Sequence, residues 1–425
     1  MKPQSKVTSV ILWSVISAAF IGPGTITTAF TAGSQFDIQL LWTVVFATVA
    51  CIVLQELSAR ITIVSGQTFG QAIVHKYGTK AGGKLQWLVT IPVLLGCAAY
   101  EAGNILGAVS GITLLLPQSG KVATIVVTLI AGIILWKGGS RLISMVMTVL
   151  VGLMGIAFLV LAIQTDYTLT ELFKAIITPV IPNEGEWLVL ALVGTTIVPY
   201  NIFIGSAISK GSTVPLMRLG LTISVIIGGL ITAWILIAGS ITGNFSSFPE
   251  LANRLHAQMG PVGAWALGVG LFAAGFSSAI TSPYAASLIA ATVLGSESKR
   301  TINGVWLTVL LIGFLFGISG VRPIPVILTV QALNGFVLPL LVYYLILMVN
   351  DNRLIPRHFR HKSWYDLVLL VIFGATTLMG LSNVDKAITN GFKLESSHFE
   401  VVIIISVALL MGLGLQLYNL RNRSV

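Results

Sequence analysis

The chain has little charge, little cysteine and none of the common enzyme motifs. Only 9% of its 425 residues are charged, compared with about 25% in a typical soluble domain, so a soluble globular protein is not indicated. Cys51 and Cys97 both lie within apolar runs, a pattern that gives neither a disulfide framework nor a zinc site. The sequence contains no glycine-rich phosphate loop after a strand and no nucleophile–base grouping. We therefore predict neither an enzyme nor a bound cofactor.

Long apolar runs dominate what is present. Apolar residues make up 55% of the chain, and many runs exceed the ~20 residues that one helical crossing of a bilayer requires. The runs show no strand-like alternation, and a backbone in lipid must satisfy its own hydrogen bonds, so each run is predicted to be a helix. The sequence thus predicts an all-α integral membrane protein in a lipid bilayer. The twelve predicted spans are 7–34, 39–64, 86–116, 121–136, 141–164, 187–208, 219–243, 261–294, 302–320, 323–349, 363–384 and 399–418.

The basic residues predict the orientation of these spans. The chain has 24 basic and 14 acidic residues, a net charge of +10. If the N-terminus is inside, 18 of the basic residues fall on the inner side and 6 on the outer side, as the positive-inside rule requires. We expect both termini to be cytoplasmic and the protein to lie in a bacterial inner membrane. The positive charge then reflects topology and contact with anionic lipid, and no nucleic-acid partner is expected.

Two spans contain helix breakers near their middles. Span one carries Gly22-Pro23-Gly24, and span six carries Pro199 shortly after Gly194. Proline removes a backbone donor and clashes with the preceding turn, and the backbone groups freed in this way are tolerated in lipid only where they line a cavity. The two spans are five apart, so two five-helix repeats would have opposite topology. Paired broken helices in inverted repeats predict a central substrate site in a secondary transporter; two ordinary proline kinks are the alternative.

Four short motifs resemble the Nramp family of proton-coupled divalent-metal transporters. Residues 22–25 occupy the place of the family's Asp-Pro-Gly-Asn, and residues 32–36 match its Ala-Gly-Ala-Gln-Tyr. Residues 57–60 resemble the end of the family's second helix, and residues 198–201 take the place of its Met-Pro-His-Asn. The resemblance covers about residues 8–350. It implies a leucine-transporter-like fold with two inverted five-helix repeats and two extra C-terminal helices. The implied divisions of this single membrane domain (1–425) are 7–164, 187–349 and 363–418.

The resemblance also implies where the family's metal ligands would fall, and these positions differ in this chain. The family's aspartate falls on Gly22, its asparagine on Thr25, its methionine on Val198 and its carbonyl ligand on Thr195, while its histidine on the proton route falls on Tyr200. A bare divalent ion is costly to bury without a carboxylate, and methionine sulfur favours soft transition metals. The chain therefore resembles a divergent branch without the usual ligand side chains, and metal binding remains open at this point.

Two single charged residues and one charged pair, in or beside spans, have two readings each. Glu101 lies deep in span three, where an acid is a functional candidate; it matches the family's proton-route glutamate, or it is a structural acid that bridges helices. Arg322 precedes Pro323 near the family's proton-exit arginine, or it reaches toward the interface from a helix end. Glu56 and Arg60 are four residues apart on one helix, a favourable pair that is structural or part of an inner gate.

The eighth span is rich in hydroxyl groups. Transporters related to the family place a sodium ion between carbonyls of helix one and hydroxyls of helix eight, and oxygen ligands suit such ions; helix packing is the alternative role of these hydroxyls.

The predicted proton or coupling-ion residues are Glu101, Arg322, Ser277, Ser278 and Thr281. The predicted substrate-binding residues are Gly22, Pro23, Gly24, Thr25, Thr195, Val198, Tyr200, Asn201 and Gln331.

Three functions are compatible with these patterns. The first is an Nramp-related secondary active transporter that works by alternating access, moves a divalent cation such as hydrated Mg²⁺ rather than tightly bound Mn²⁺ or Fe²⁺, and is coupled to protons or sodium. The second is a sodium- or proton-coupled carrier of a small organic solute such as an amino acid, whose carboxylate would bind the free amides at the helix breaks. The third is a transporter-derived sensor that binds without transport.

Overall fold

The protein is built from helices. The computed structural model describes residues 5–294, 298–392 and 398–422; within these ranges it describes residues 328–336, 357, 386–388, 390–392 and 422 by their backbone alone. No strand occurs in the described ranges. The first eight helices are α1 (Lys6–Phe20), α2 (Pro23–Phe36), α3 (Leu41–Ser65), α4 (Phe69–Leu115), α5 (Gly120–Lys137), α6 (Ser140–Ala162), α7 (Leu169–Ile177) and α8 (Glu186–Thr196). The others are α9 (Pro199–Ile208), α10 (Val214–Gly239), α11 (Phe248–Met259), α12 (Pro261–Leu294), α13 (Lys299–Ile318), α14 (Pro323–Val349), α15 (Trp364–Phe392) and α16 (Phe399–Asn422).

Ten helical stretches among the described residues are long and apolar enough to cross a membrane. Each of the twelve predicted runs contains helix, so the prediction of an all-α membrane fold is confirmed. The lower number has two causes. α2 joins α3 through a 3₁₀ turn at Asp37–Leu40 and leaves α1, which is shorter than a full crossing. α14 is 27 residues long, but its residues 328–336 are described by their backbone alone, so only Val337–Val349 counts toward a crossing there. The division of the chain into inverted repeats stays a prediction.

Helix α4 begins well before the predicted span. The apolar run suggests a start near residue 86, but the helix starts at Phe69 with a capping box formed by Thr68 and Gln71. Its first turns end at a kink, where Gly78 has φ 79° and ψ 165°, a conformation that favours glycine. The short helices α7 and α11, which lie in polar connectors, are also missing from the prediction. Both start with a side-chain cap, from Thr168 in α7 and from Ser247 in α11, and this is the sequence signal that could have revealed them.

Two glycines bring α4, α12 and the first helix break together at the centre of the molecule. A Cβ added at Gly275 of α12 would lie 2.2 Å from the backbone nitrogen of Ala108 on α4. A Cβ at Gly107 of α4 would lie 2.2 Å from Cγ of Pro23, the first residue of α2. Only glycine permits these approaches, since small residues let membrane helices approach closely. The crossing of α4 and α12 therefore fixes where the break lies.

The substitution Gly275→Ala is expected to destabilise the protein by about 1–3 kcal/mol, the usual effect of overpacking, because the new methyl group would meet the backbone of α4. The melting temperature of the purified protein in detergent measures this. Gly412→Ala is the matched control: Gly412 also lies in a helix, α16, but an added Cβ meets nothing within 4 Å. If both variants have the same melting temperature, the close crossing has no role in stability.

An ion cluster joins three segments at the face where α3 ends and α10 begins, which we call the first face; the opposite one is the second face. Its acid and one of its arginines are buried, while the other arginine has a side chain that is 55% exposed. Arg60 donates to both carboxylate oxygens of Glu56, with Nε at 3.0 Å from Oε1. Arg218 at the start of α10 places Nη2 2.8 Å from the same Oε1. Arg60 Nη1 also donates to the carbonyl of Phe359 at 3.3 Å. The Glu56 cluster (Glu56, Arg60 and Arg218) thus ties α3 to α10 and to the connector before α15.

Candidate functional site

Both predicted breaks are present, and they have the same local form. One helix ends, a short extended step follows, and the next helix begins with Pro23 at the first break or Pro199 at the second. Proline suits the first position of a helix because its missing N–H has no partner there. The last carbonyls of α1 and α8 have no partner within their own helices. Two sets of helix-end carbonyls and two helix N-termini are thus placed inside the molecule.

Hydroxyl groups from three other helices bind the end of α1. The carbonyl of residue 18 accepts hydrogen bonds from Ser277 and Ser278 of α12 at 3.3 and 3.4 Å. The next carbonyl accepts from Tyr200 of α9 at 2.9 Å, and the one after it accepts from Thr25 of α2. Helices α2, α9 and α12 therefore meet at the broken end of α1.

A small cavity lies between the two breaks, α4 and α12. The centre of a water-sized sphere can move through about 30 Å³ of this cavity. Because one water needs about 10–15 Å³ on this measure, the cavity has room for about two waters. Its lining consists of Ala19, Phe20, Gly22, Pro23, Gly24, Thr25, Tyr100, Gly103, Asn104, Thr195, Val198, Tyr200, Ser278 and Ile327.

Four hydroxyl groups of this lining have already donated their protons elsewhere. Thr25, Tyr200 and Ser278 donate their hydroxyl protons to α1 as described, and Thr195 donates its own to the carbonyl of Leu192 at 3.0 Å. A hydroxyl has one proton and two lone pairs, so these four groups have only lone pairs left for a guest in the cavity. Among the described lining residues none has an ionisable carboxyl group, a basic group or a sulfur atom. The cavity is therefore neutral and suited to a cation or to the hydrogens of water.

One acidic side chain lies directly behind this lining. Glu101 of α4 is fully buried, and its Oε2 accepts a hydrogen bond from Nδ2 of Asn104 at 3.3 Å. Its Oε1 has no hydrogen-bond partner among the described residues. Gly313 of α13 packs against it so closely that a Cβ there would lie 2.6 Å from Cγ of Glu101. Asn104 thus connects the buried acid to the cavity.

The family described as natural resistance-associated macrophage protein-like, Nramp, matches residues 14–384. That range is most of the chain. The protein belongs to the Nramp family. The resemblance predicted from the short motifs is thereby confirmed, and this Nramp protein is a metal-ion transporter of the membrane rather than an enzyme.

Solved structures of a manganese transporter from Eremococcus coleocola have the same fold. Its complex with an aromatic bis-isothiourea substituted compound superimposes with a TM-score of 0.79 at 19% identity, over 97% of this chain and 94% of that one. A histidine-to-alanine mutant and a glutamate-to-glutamine mutant of that transporter each give 0.78 at 19% identity, over 99% and 95%. The predicted leucine-transporter-like architecture is thus confirmed.

Most of the predicted substrate-binding residues line the cavity. Asn201 does not; it is fully buried, and neither of its amide atoms has a hydrogen-bond partner in the described part of the chain. The backbone of Gln331 lies in α14, but its side chain is outside the described residues. The predicted residues that line the cavity are Gly22, Pro23, Gly24, Thr25, Thr195, Val198 and Tyr200.

The predicted proton and coupling-ion residues fall in separate places. Ser278 lines the cavity, while Ser277 and Thr281 lie behind it on α12, where Thr281 donates to the carbonyl of Ser277 at 3.1 Å. Glu101 is one side chain away from the cavity. Arg322 is exposed at the start of α14, on the second face, so the structure does not bring it to the cavity.

Helix α4 also contributes to the cavity, and the sequence motifs do not predict this contribution. Tyr100, Gly103 and Asn104 all line the cavity, and the ring of Tyr100 meets that of Tyr200 edge to face with centroids 5.9 Å apart. A signal for Asn104 was available, because residues three apart on a helix share a face and Glu101 had already been singled out.

Proposed function

We propose that this Nramp protein is a secondary active transporter that moves a divalent cation, Mg²⁺ above all, by alternating access. The observation that carries the proposal is the acceptor character of the cavity. Four hydroxyl oxygens with their protons already committed face a space without carboxylate or thioether in its described lining. Neutral hard oxygen ligands suit Mg²⁺, whereas a soft transition metal would gain more from sulfur or imidazole.

The size of the cavity supports a partly hydrated ion. Mg²⁺ gives up water reluctantly and usually keeps several water ligands. Space for about two water-sized particles admits an ion with a single water in the described conformation, so the remaining shell would be shed or regained as the site opens. The same space is far below the volume of an amino acid, which weighs against the organic-solute alternative.

We infer that protons drive this transport and that Glu101 carries them. Glu101 is fully buried, has one neutral hydrogen-bond partner and is one side chain away from the cavity. Acids within membrane helices commonly form proton relays. Sodium coupling is the second candidate, supported by the meeting of Ser277 and Ser278 with the carbonyl of residue 18, because three oxygens from two helices lie together there.

We also propose that the first face is cytoplasmic. The basic residues that the sequence assigns to the inner side include Arg60, Arg218 and Arg421, which lie at the ends of helices on this face. An 18-to-6 division of basic residues follows the positive-inside rule. Labelling of single engineered cysteines in intact cells would test the orientation.

Uptake into proteoliposomes tests the transport proposal. We expect saturable Mg²⁺ uptake that an inward proton gradient accelerates and a sodium gradient does not. Glu101→Gln cannot exchange a proton, so this variant should transport Mg²⁺ at a rate that no longer depends on pH. Ser110→Ala, nine residues further along α4 and outside the cavity, is the control and should keep the wild-type pH profile.

Several results would contradict the proposal. Uptake of Mn²⁺ that Mg²⁺ does not compete for would exclude Mg²⁺ as the substrate. Acceleration by sodium alone would replace the proton with sodium as the coupling ion. Unchanged pH dependence in Glu101→Gln would leave Glu101 a structural acid.

A further inference from the structure

We infer that Asn104 is a cation ligand that takes over the role of the missing side chain at Gly22, and that Glu101 positions its amide. This inference rests on the proposed function. It shifts a ligand from the broken helix α2 to the continuous helix α4.

The position of Asn104 relative to Gly22 is the first observation. A Cβ added at Gly22 would lie 3.8 Å from Oδ1 of Asn104 and 3.0 Å from Oγ of Ser278. The two oxygens thus border the space that a longer side chain at position 22 would fill. Because Gly22 leaves this space open to the cavity, a cation or its water there would meet an amide oxygen and a hydroxyl oxygen, both hard ligands.

The orientation of the amide is the second observation. An asparagine side chain has two donors at its nitrogen and an acceptor at its oxygen. Glu101 Oε2 takes a hydrogen bond from Nδ2 at 3.3 Å, so the donor end of Asn104 faces the acid and the acceptor end faces Gly22. Asn104 is only 4% exposed, and its neighbours hold it in place. A side chain that cannot accept this hydrogen bond at position 101 would leave the amide free to turn its N–H groups toward the cation.

With Asn104 as a ligand, the site lacks the family's aspartate at position 22 but still has an oxygen ligand for the cation beside that position. The acid stands behind the amide and not in the cavity, so the ion meets a neutral oxygen first. A neutral ligand set holds a divalent ion less tightly than one with a carboxylate, and it leaves water on the ion. Asn104 is therefore a residue that sets specificity, and Glu101 is a positioning residue as well as the proposed proton carrier.

Binding of Mg²⁺ and Mn²⁺ to the purified full-length chain, measured by calorimetry, tests this inference. Asn104→Leu keeps the volume and removes the oxygen, and it should raise the Kd for Mg²⁺ at least about tenfold, a change that corresponds to the loss of about one good ligand contact. Asn104→Ala serves as a second variant that adds no bulk, and a melting curve confirms that each variant is folded. Ser110→Ala on the same helix should bind as the wild type does.

The positioning role has its own comparison. Glu101→Gln keeps an acceptor for Asn104 Nδ2, whereas Glu101→Leu offers none. The Leu variant should therefore bind Mg²⁺ at least about tenfold more weakly than the Gln variant, although both lack the acid. Equal binding by the two would overturn the positioning role of Glu101.

The outcomes for Asn104 and for the transporter as a whole can be told apart. Wild-type binding that Asn104→Leu and Asn104→Ala leave unchanged would overturn the ligand role of Asn104 and leave the proposed function standing. A wild-type chain that binds and transports neither Mg²⁺ nor Mn²⁺ would overturn the proposed function and this inference together.

Discussion

Replacing Gly22 with aspartate is expected to increase the affinity for Mn²⁺ by about 10- to 100-fold. The resemblance to the family implies a carboxylate at this position, and the cavity at Gly22 is open to receive one. An interaction with a charged group contributes about 1.5–3 kcal/mol, and each 1.4 kcal/mol is a factor of ten in Kd. The carboxylate also supplies the negative charge that the described lining lacks, so a more fully dehydrated ion becomes acceptable.

The surroundings of Gly22 determine how this variant is best made. A Cβ at Gly22 would lie 3.0 Å from Oγ of Ser278, so the hydroxyl must turn aside or be removed. The double variant Gly22→Asp with Ser278→Ala relieves the contact but removes one hydroxyl oxygen from the cavity, and it should still show a gain. Gly22→Asn is the matched control, since it has nearly the same shape without the charge.

Calorimetric titration of the three variants with Mn²⁺ and Mg²⁺ gives the result. The gain should appear in both aspartate variants, be greater for Mn²⁺ than for Mg²⁺, and be absent in Gly22→Asn. A similar gain in the asparagine variant would show that the added oxygen and not its charge was missing. No gain in any variant would mean that the cavity is not the cation site.

The features predicted from the sequence alone are those that depend on local chemistry. Pro23 and Pro199 mark both breaks because proline acts on its own helix, wherever the rest of the chain lies. The residues next to these two prolines line the cavity because each break lies at the cavity. The apolar runs predicted the helices because a membrane leaves the backbone few alternatives.

The features that were missed depend on contacts between distant segments. Asn104 faces Gly22 because α4 crosses α12 at Gly275 and approaches Pro23 at Gly107, and no local pattern predicts that crossing. The role of Arg322 stays a prediction: its match to the family's proton-exit arginine suggests a place on the proton route, and its side chain is exposed at the helix end, away from the cavity.

The Glu56 cluster contains one contact that the local sequence predicts and others that only the fold reveals. Its local half, Glu56 with Arg60, follows from a spacing of four residues on a helix. Its other half, Arg218, lies 162 residues further along the chain, and the carbonyl of Phe359 is further still. Only the fold shows that this pair is a junction of three segments and not a lone helix pair.

Glu56→Gln is therefore expected to destabilise the protein by about 3–5 kcal/mol, the usual effect of removing one partner from a buried ion pair. Arg60 is only 2% exposed, so its charge would be left buried without its acid, and Arg218 would lose its partner on α3. The junction of α3 with α10 and with the connector before α15 should loosen, which would open the first face more often.

Two measurements separate the loss of stability from the opening. The melting temperature of the purified chain should fall. In a chain with Cys51 and Cys97 replaced by alanine, a cysteine introduced at Ser209 should react faster with a maleimide when Glu56→Gln is present, because Ser209 is fully buried at the first-face end of α9.

Glu250→Gln is the matched control, because Glu250 and Arg254 form a pair with the same spacing that is solvent-exposed on α11. Exposed pairs contribute little, and a glutamine can still accept the two hydrogen bonds that Ser246 donates to Glu250 Oε2 at 2.8 Å. This variant should therefore lower the melting temperature much less than Glu56→Gln and leave the labelling rate unchanged. A fall in melting temperature without faster labelling would make the Glu56 cluster a structural support only. Unchanged melting in Glu56→Gln would mean that the buried arginine finds another partner, and the cluster would then have no role in holding the first face closed.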